Sequence, residues 1–145
     1  MNYRNEIDIN LPRKRVVELF DNPDNMPKWQ EGFVSFEPLS GKPGEEGSKA
    51  KLQYKMGKRE VEMIETITKR NLPEEFNGIY EARGVFNIVN NSFVEQGEST
   101  KWISDNEFRF SGFMKLIAFF MPGAFKKQSM KYMKDFKKFA EEIEV

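Results

Sequence analysis

Six consecutive segments lie between Phe33 and Phe110, separated by turns, and all of them except residues 85–95, whose phase is ambiguous, alternate apolar with polar residues. The clearest alternation runs over residues 49–56, where lysines and a glutamine interleave with apolar side chains, so that one face of a strand would be buried and the other wet. The next segment follows after only Gly57-Lys58, which fits a two-residue hairpin turn with Gly first. Strands that follow one another through such short turns must pair antiparallel.

Other patterns flank these six segments. An alternating segment ending at Ile9 predicts a further strand, Pro12 suits the first turn of a helix, and a second short helical piece covers residues 23–30. From Ala124 to the end, an apolar stripe at helical spacing, with lysines over much of the rest, predicts a long helix. A one-sided antiparallel sheet needs cover on its apolar face, and this stripe matches it. We therefore predict a single α+β domain over residues 1–145, in which a curved sheet of about seven strands wraps around the C-terminal helix.

Composition excludes several classes of function. The 145 residues carry 23 Lys+Arg against 23 Asp+Glu, and this balance lacks the basic footprint of a nucleic-acid-binding protein. The chain has no Cys and no His, so disulfides, thiolate nucleophiles, Ser-His-Asp triads and histidine metal sites are excluded. Its scattered Asp and Glu lack the spacing of metal ligands, and we predict neither a metal site nor a cofactor.

The distribution of apolar residues bears on location. The polar start of the chain lacks the apolar core of a signal peptide. The longest apolar stretch, Leu116 to Met121, is far shorter than the ~20 residues that cross a bilayer. These features predict a cytoplasmic protein, and they carry no sign of its oligomeric state.

Several local patterns resemble those of one protein superfamily. They are Ile7-Asp8-Ile9 before Pro12 and Val16, the segment Asp21–Trp29, Gly44-Glu45-Glu46-Gly47-Ser48 before a strand, Gly112-Phe113-Met114-Lys115-Leu116, and Phe136-Lys137-Lys138-Phe139-Ala140 in the closing helix. On element order and these patterns, the whole chain resembles the SRPBCC superfamily, the START-like and polyketide-cyclase-like group with the helix-grip fold. The resemblance implies an apolar cavity between the sheet and the C-terminal helix. It also implies binding of lipids, sterols, hormones or polyketides, or in a minority of members an enzymatic activity, and it carries no catalytic residue over.

The predicted inner face of the sheet and the helix stripe supply the lining of such a cavity. Met and Phe side chains adapt to a ligand, and a few polar groups among them fix its orientation. The candidate ligand-binding residues are Leu52, Tyr54, Met56, Met63, Glu65, Tyr80, Trp102, Ser104 and Phe108 on the strands, with Phe125 and Met133 on the helix. The alternative is that these side chains fill the space between sheet and helix completely.

Glu65 is the carboxylate that the alternation places among apolar neighbours, between Met63 and Ile67. Desolvation in an apolar cavity raises a carboxyl pKa, which is what a general acid or base near neutral pH requires. Glu65 is therefore the candidate catalytic residue. The alternative is a structural carboxylate that a β-bulge turns outward or that an Arg pairs with.

Three functions follow from these observations. The first is the binding of a hydrophobic or amphipathic small molecule, and the second is a cyclase or dehydratase reaction that uses Glu65 or a Tyr as proton shuttle. The third is an interaction module in which the apolar segment Phe113–Met121 contacts a membrane or a protein. We favour a buried helix turn under the sheet edge for this segment, and therefore do not favour membrane contact. The glycine-rich loop from Gly41 to Gly47 lacks the ending of a phosphate-binding loop and is interpreted as a flexible connection at the cavity mouth.

Overall fold

Seven antiparallel strands form one sheet in the computed structural model, which we describe for residues 1–143. The strands are β1 (Asn2–Ile9), β2 (Phe33–Ser40), β3 (Lys49–Met56), β4 (Arg59–Asn71), β5 (Glu75–Ala82), β6 (Val85–Gln96) and β7 (Ser99–Phe110). Their order across the sheet is β1-β7-β6-β5-β4-β3-β2, so the strands from β2 to β7 form a meander and β1 pairs with β7. The predicted antiparallel sheet is therefore confirmed.

Four α-helices lie within the described residues. They are α1 (Arg13–Asp21), α2 (Met26–Trp29), α3 (Phe113–Phe120) and α4 (Ala124–Ile143), and a 3₁₀ turn (Pro23–Asn25) separates α1 from α2. The Asn22 side chain accepts a hydrogen bond of 3.0 Å from the Asp24 backbone N–H and so caps the 3₁₀ turn. The sequence predicted one long C-terminal helix, whereas the structure adds α3 as a separate helix before it. The predicted helix ran to the end of the chain, and its last residues, Glu144 and Val145, lie outside the described residues.

The long helix α4 lies along β1 and packs against α2 as well. Near its start, the Phe125 carbonyl accepts a hydrogen bond of 3.2 Å from the Tyr3 hydroxyl. Near its end, the Glu141 carboxylate accepts one of 2.8 Å from the Asn10 backbone N–H. Helix and strand therefore run in the same direction at one side of the sheet. Within residues 1–143, α4 makes its main contacts there rather than over the middle strands.

The part of the concave face beneath α4 is a filled aromatic core. The rings of Phe20, Trp29, Phe93, Trp102 and Phe136 contact one another with centroid separations from 5.1 to 6.3 Å. Phe136, in the middle of this group, has no exposed surface. Full burial of one such side chain contributes about 2–3 kcal/mol to folding. This core therefore fixes α4, α1 and α2 on the sheet.

Two predicted cavity residues belong to this filled core. Trp102 is 4% exposed and Met133 is 2% exposed. The Trp102 ring packs against Phe136 at 5.4 Å and against Phe93 at 6.0 Å. Their predicted inward orientation is correct, but neighbouring side chains occupy the space that a ligand would need.

The position of α3 differs from the prediction. Met114 packs against Gly84 in the β5–β6 turn, where an added Cβ would lie 2.9 Å from Met114 Cγ, and Ala118 is buried. The outward side chains Phe113, Phe119 and Phe120 are 73%, 78% and 75% exposed. The expected buried helix turn is therefore wrong, because the β5–β6 turn covers only one side of α3. No described helix is both long enough and apolar enough to cross a membrane.

Candidate functional site

A second part of the concave face, over β4, β5 and β6, is less covered than the aromatic core. The register places Glu65 opposite Ala50 and Tyr80, and it places Asn87 opposite Tyr80 and Phe108, so these side chains share one face of the sheet. Five neighbouring half-buried residues of this region are Met63, Glu65, Tyr80, Asn87 and Val89. We call these five residues the concave cleft.

One wall beside the concave cleft is aromatic. Phe125, at the start of α4, packs against Phe108 and Phe110 of β7, with ring centroids 5.0 and 4.9 Å apart. Phe108 is buried, whereas Phe110 and Phe125 are half-buried. The cleft therefore has an apolar side next to its polar residues.

Glu65 and Tyr80 form the polar centre of the concave cleft. The Tyr80 hydroxyl donates a hydrogen bond of 2.7 Å to Oε2 of Glu65 across the β4–β5 pair. Burial raises the pKa of Glu65, and this hydrogen bond partly opposes the rise. Burial also raises the pKa of Tyr80, with a further contribution from the neighbouring carboxylate. Within residues 1–143, no Lys or Arg pairs with Glu65 and no group of acidic side chains is arranged to hold a metal ion.

The β-bulge in β4 does not turn Glu65 outward. The register between β4 and β5 shifts only after Ile67, and Glu65 still lies opposite Tyr80. A one-residue slip before this point would have moved Glu65 to the convex face. The phase of the alternation around Glu65 is therefore as predicted.

Tyr54 lies near this pair, but its hydroxyl already has a partner. It donates a hydrogen bond of 2.6 Å to Oε1 of Gln30, just after α2, and its ring contacts Phe33 at 5.9 Å. Burial raises the pKa of Tyr54, and smaller contributions come from Tyr132 and from the charge of Glu65. Tyr54 therefore joins the sheet to the segment after α2, close enough to Glu65 for an electrostatic interaction.

Asparagines outside the candidate set also lie on the concave face. Asn106 donates a hydrogen bond of 3.0 Å to Oγ of Ser104, and Asn87 donates one of 3.4 Å to Oδ1 of Asn106. Asn91 accepts one of 2.9 Å from the Trp102 indole N–H. Ser104, a predicted ligand contact, is thus buried with a partner inside the protein. Asn87 is the half-buried member of this group and the one that belongs to the concave cleft.

The remaining candidates fall into different environments. Leu52 is 1% exposed and belongs to the packed interior. Met63 is part of the concave cleft, and Phe125 is part of its aromatic wall. Met56 is 39% exposed, so its predicted burial is wrong, because β3 ends there in the turn to β4.

The structure also contains measurable surface recesses. One of about 240 Å³ lies at the β5–β6 turn, where Ala82, Val85 and Phe110 contribute to its lining. Another, of about 340 Å³, is lined mainly by convex-face residues of β6 and β7. Neither recess is lined by Glu65 or Tyr80. The enclosed cavity that the resemblance implies therefore stays a prediction.

Comparison with protein families identifies one that spans the chain. The family described as "Polyketide cyclase / dehydrase and lipid transport" matches residues 2–144. The comparison with curated proteins found no match. The family assignment therefore rests on the family match.

Solved structures show the same fold. TTHA0849 from Thermus thermophilus is 13% identical over 100% of both chains, with a TM-score of 0.81. Zhui aromatase/cyclase from Streptomyces sp. R1128 is 11% identical over 97% of this chain and 93% of that chain, with a TM-score of 0.77. Norcoclaurine synthase from Thalictrum flavum, in complex with dopamine and hydroxybenzaldehyde, is 14% identical over 98% of this chain and 87% of that chain, with a TM-score of 0.73. At these identities the likeness shows the fold alone, which is the predicted helix-grip fold. Because the family match extends over nearly its whole length, the chain belongs to the polyketide cyclase / dehydrase and lipid transport family.

Proposed function

We propose that the chain binds a hydrophobic or amphipathic small molecule, of the lipid, sterol or polyketide type, in the concave cleft. The observation that carries this proposal is the division of the concave face. The aromatic core around Phe136 is filled, whereas Met63, Glu65 and Tyr80 on the same face keep accessible surface. Ligand sites in proteins are concave, mostly apolar surfaces with a few oriented polar groups, and the cleft together with its aromatic wall of Phe108, Phe110 and Phe125 has this composition.

The cleft and its wall offer distinct chemistry to the two ends of such a ligand. The apolar part would lie against Met63, Phe110 and Phe125, while the polar end would reach Glu65 and Tyr80. A carboxylate accepts hydrogen bonds and a phenol can donate or accept, so a hydroxyl group on the ligand would find a partner. A ligand that buries about 300 Å² of apolar surface gains about 7–8 kcal/mol before the entropic cost of binding is subtracted.

The comparisons support a small-molecule site in this fold. The family description includes lipid transport. The norcoclaurine synthase structure holds dopamine and hydroxybenzaldehyde, and the Zhui protein is an aromatase/cyclase. These ligands and activities belong to those proteins. For this chain they favour a ligand site over a purely structural role.

A matched pair of variants tests the location of the site. Met63→Lys places a charge in the cleft, whereas Ile64→Lys places the same charge on the next residue of β4, which is also half-buried and faces the other side of the sheet. The probe is N-phenylnaphthylamine, a neutral dye whose fluorescence rises in apolar surroundings. We expect Met63→Lys to weaken dye binding by about tenfold or more and Ile64→Lys to leave it within about threefold. Equal effects of the two substitutions would contradict a site in the cleft.

A second candidate function is a proton-transfer reaction of the cyclase or dehydratase type. It is favoured by the 2.7 Å hydrogen bond between Tyr80 and a carboxyl whose pKa is raised by burial. Such a carboxyl can accept a proton near neutral pH from a bound substrate. Glu65→Gln separates the two functions. In a binding protein the substitution changes only the affinity for a ligand whose polar end reaches Glu65, whereas an enzyme also loses turnover of its bound substrate by about a hundredfold or more.

A further inference from the structure

The outward side of α3 is apolar and lies in contact with solvent. Its exposed side chains are Phe113 (73%), Leu116 (56%), Phe119 (78%) and Phe120 (75%), continued by Met121 (56%). We call these five residues the α3 patch. A fully exposed aromatic side chain presents about 200 Å², so the three phenylalanines alone expose on the order of 400 Å². The largest apolar patch of a typical monomer measures about 300–600 Å² and is often functional.

The fold holds the α3 patch on a fixed base at one end of the sheet. The Ser111 backbone N–H donates a hydrogen bond of 3.0 Å to the Gly84 carbonyl, and Met114 packs against the same glycine. Ala118 is buried on this inner side. A surface helix ordinarily carries polar residues on its outer side, and α3 has only Lys115. The apolar outer side is therefore not explained by packing within the chain.

The segment of the sequence that contains the α3 patch carries charges of one sign. From Phe108 to Lys134 the sequence contains six Lys or Arg and no Asp or Glu, although acidic and basic residues are balanced over the whole chain. Lys115, Lys126 and Lys127 are exposed and, among residues 1–143, take part in no ion pair. The segment from the α3 patch to the start of α4 thus carries three exposed lysines that, within the described residues, pair with no acidic side chain.

We propose that the α3 patch docks on the surface of an anionic lipid bilayer. A bilayer offers an apolar interior to the phenylalanines and negative headgroups to the lysines of the same segment. An apolar anchor combined with a basic cluster gives reversible attachment of this kind. A second copy of the chain fits less well, because two patches face to face would bring Lys115, Lys126 and Lys127 of both copies together with no acidic residue of this segment between them.

Docking would also orient the concave face. The recess lined by Ala82, Val85 and Phe110 lies at the same β5–β6 turn that supports α3. A chain attached through the α3 patch would therefore present this end of the sheet to the lipid. Attachment itself does not depend on whether the concave cleft binds a ligand.

Vesicle flotation tests the docking proposal. The full chain is mixed with vesicles of phosphatidylcholine alone, or with about 30% phosphatidylserine, at about 50 mM and about 500 mM salt. We expect flotation with the anionic vesicles at low salt, much less at high salt, and little with neutral vesicles. Absence of flotation with anionic vesicles at low salt overturns the proposal.

Matched variants assign the attachment to α3. We expect the double variant Phe119→Ser/Phe120→Ser to lower vesicle affinity by about tenfold or more, and Lys126→Glu/Lys127→Glu to lower it by at least about fivefold at low salt. The controls are Val34→Ser, a residue 57% exposed on β2, and Lys14→Glu/Lys138→Glu, two exposed lysines away from α3. A Phe119→Ser/Phe120→Ser variant that floats like the wild type, or controls that lose as much affinity, would overturn the assignment.

The absence of cysteine allows a direct readout of contact. Phe120→Cys and Val34→Cys each create a single site for an environment-sensitive dye. We expect a blue shift on addition of anionic vesicles at residue 120 and none at residue 34. If the wild type instead forms a dimer that Phe119→Ser/Phe120→Ser dissociates, and does not float, the patch serves a second copy and the membrane proposal fails.

Discussion

Tyr80 donates a hydrogen bond of 2.7 Å to the carboxylate of Glu65, which lies directly opposite it on the neighbouring strand. Both groups lie on the concave face in the region where the side chains are only half-buried. Burial raises the pKa of each, so the surroundings disfavour the charged form of Glu65. Perturbed carboxyl groups of this kind are frequent at functional sites, and we interpret the pair as the polar end of a ligand site.

The first prediction concerns the pH dependence of stability. Because the pKa of Glu65 is higher in the folded chain than in the unfolded chain, its protonated form favours folding. The stability that the protonated side chain contributes is fully present below the pKa of the unfolded state. It is lost as the pH rises through the higher pKa of the folded state. Glu65→Gln keeps the shape of the uncharged side chain and does not titrate, so its free energy of unfolding should gain on that of the wild type as the pH rises above about 4, the ordinary pKa of a glutamate in an unfolded chain. Urea unfolding over this range checks it, and a difference that does not change with pH would contradict it.

The second prediction concerns the role of Tyr80. Its hydrogen bond lowers the pKa of Glu65, so Tyr80→Phe should raise that pKa further and cost about 1 kcal/mol of stability. Carbon NMR of the glutamate side chains measures the pKa. Tyr54→Phe is the control, because its hydroxyl bonds to Gln30 instead. If both substitutions shift the pKa of Glu65 equally, the hydrogen bond from Tyr80 to Glu65 is contradicted.

The third prediction separates the filled and open parts of the concave face. Phe136 has no exposed surface, so Phe136→Ala should lower the free energy of unfolding by about 3–5 kcal/mol. Phe125 is half-buried beside the cleft, and Phe125→Ala should cost about 1–2 kcal/mol while weakening N-phenylnaphthylamine binding. Urea unfolding and dye titration measure these effects. Equal stability losses would indicate that the cleft is as tightly packed as the core.

The fourth prediction concerns the loop between β2 and β3. Arg70 donates hydrogen bonds of 2.8 and 2.6 Å to the two oxygens of Asp21 on α1, and one of 3.1 Å to the Gly44 carbonyl. This bidentate pair ties both α1 and the loop to β4. Asp21→Asn should therefore destabilise the chain by about 1 kcal/mol, more than Glu107→Gln, which breaks the more exposed pair with Arg109. If the two substitutions lower the free energy of unfolding equally, the ion pair between Arg70 and Asp21 contributes no more to stability than the exposed pair.

The sequence predicted β6 as a strand along with the others, but it did not predict which side chains of β6 face the concave side. In β3, lysines interleave with Leu52 and Tyr54, so the buried face is visible without a structure. In β6, Asn87 and Asn91 share a face, while Ile88 lies on the other, so polarity does not reveal the phase. Only the pairing of β6 with the clearly alternating β7 determines which face of β6 is concave. The sequence alone therefore does not assign Asn87 and Asn91 to the candidate site.

The sequence also did not predict which side chains pack against one another. Alternation placed Trp102 inward correctly, but it could not show that Phe20 and Phe93 fill the space beside it. An apolar helix is normally buried, so the sequence predicts that the segment from Phe113 to Met121 is buried under the sheet edge. Whether a surface exists to cover such a helix depends on the tertiary structure, and here the β5–β6 turn covers one side only.

Methyl NMR of the chain labelled at methionine tests most directly whether the concave cleft is an open binding site. Met63 lies in the cleft and Met133 lies in the filled core, so the two methyl groups report on the two parts of one face. On titration with N-phenylnaphthylamine, we predict a saturable shift of the Met63 resonance and little change at Met133. A Met63 resonance that does not move while the dye binds, or one that moves no more than that of Met133, would contradict the account.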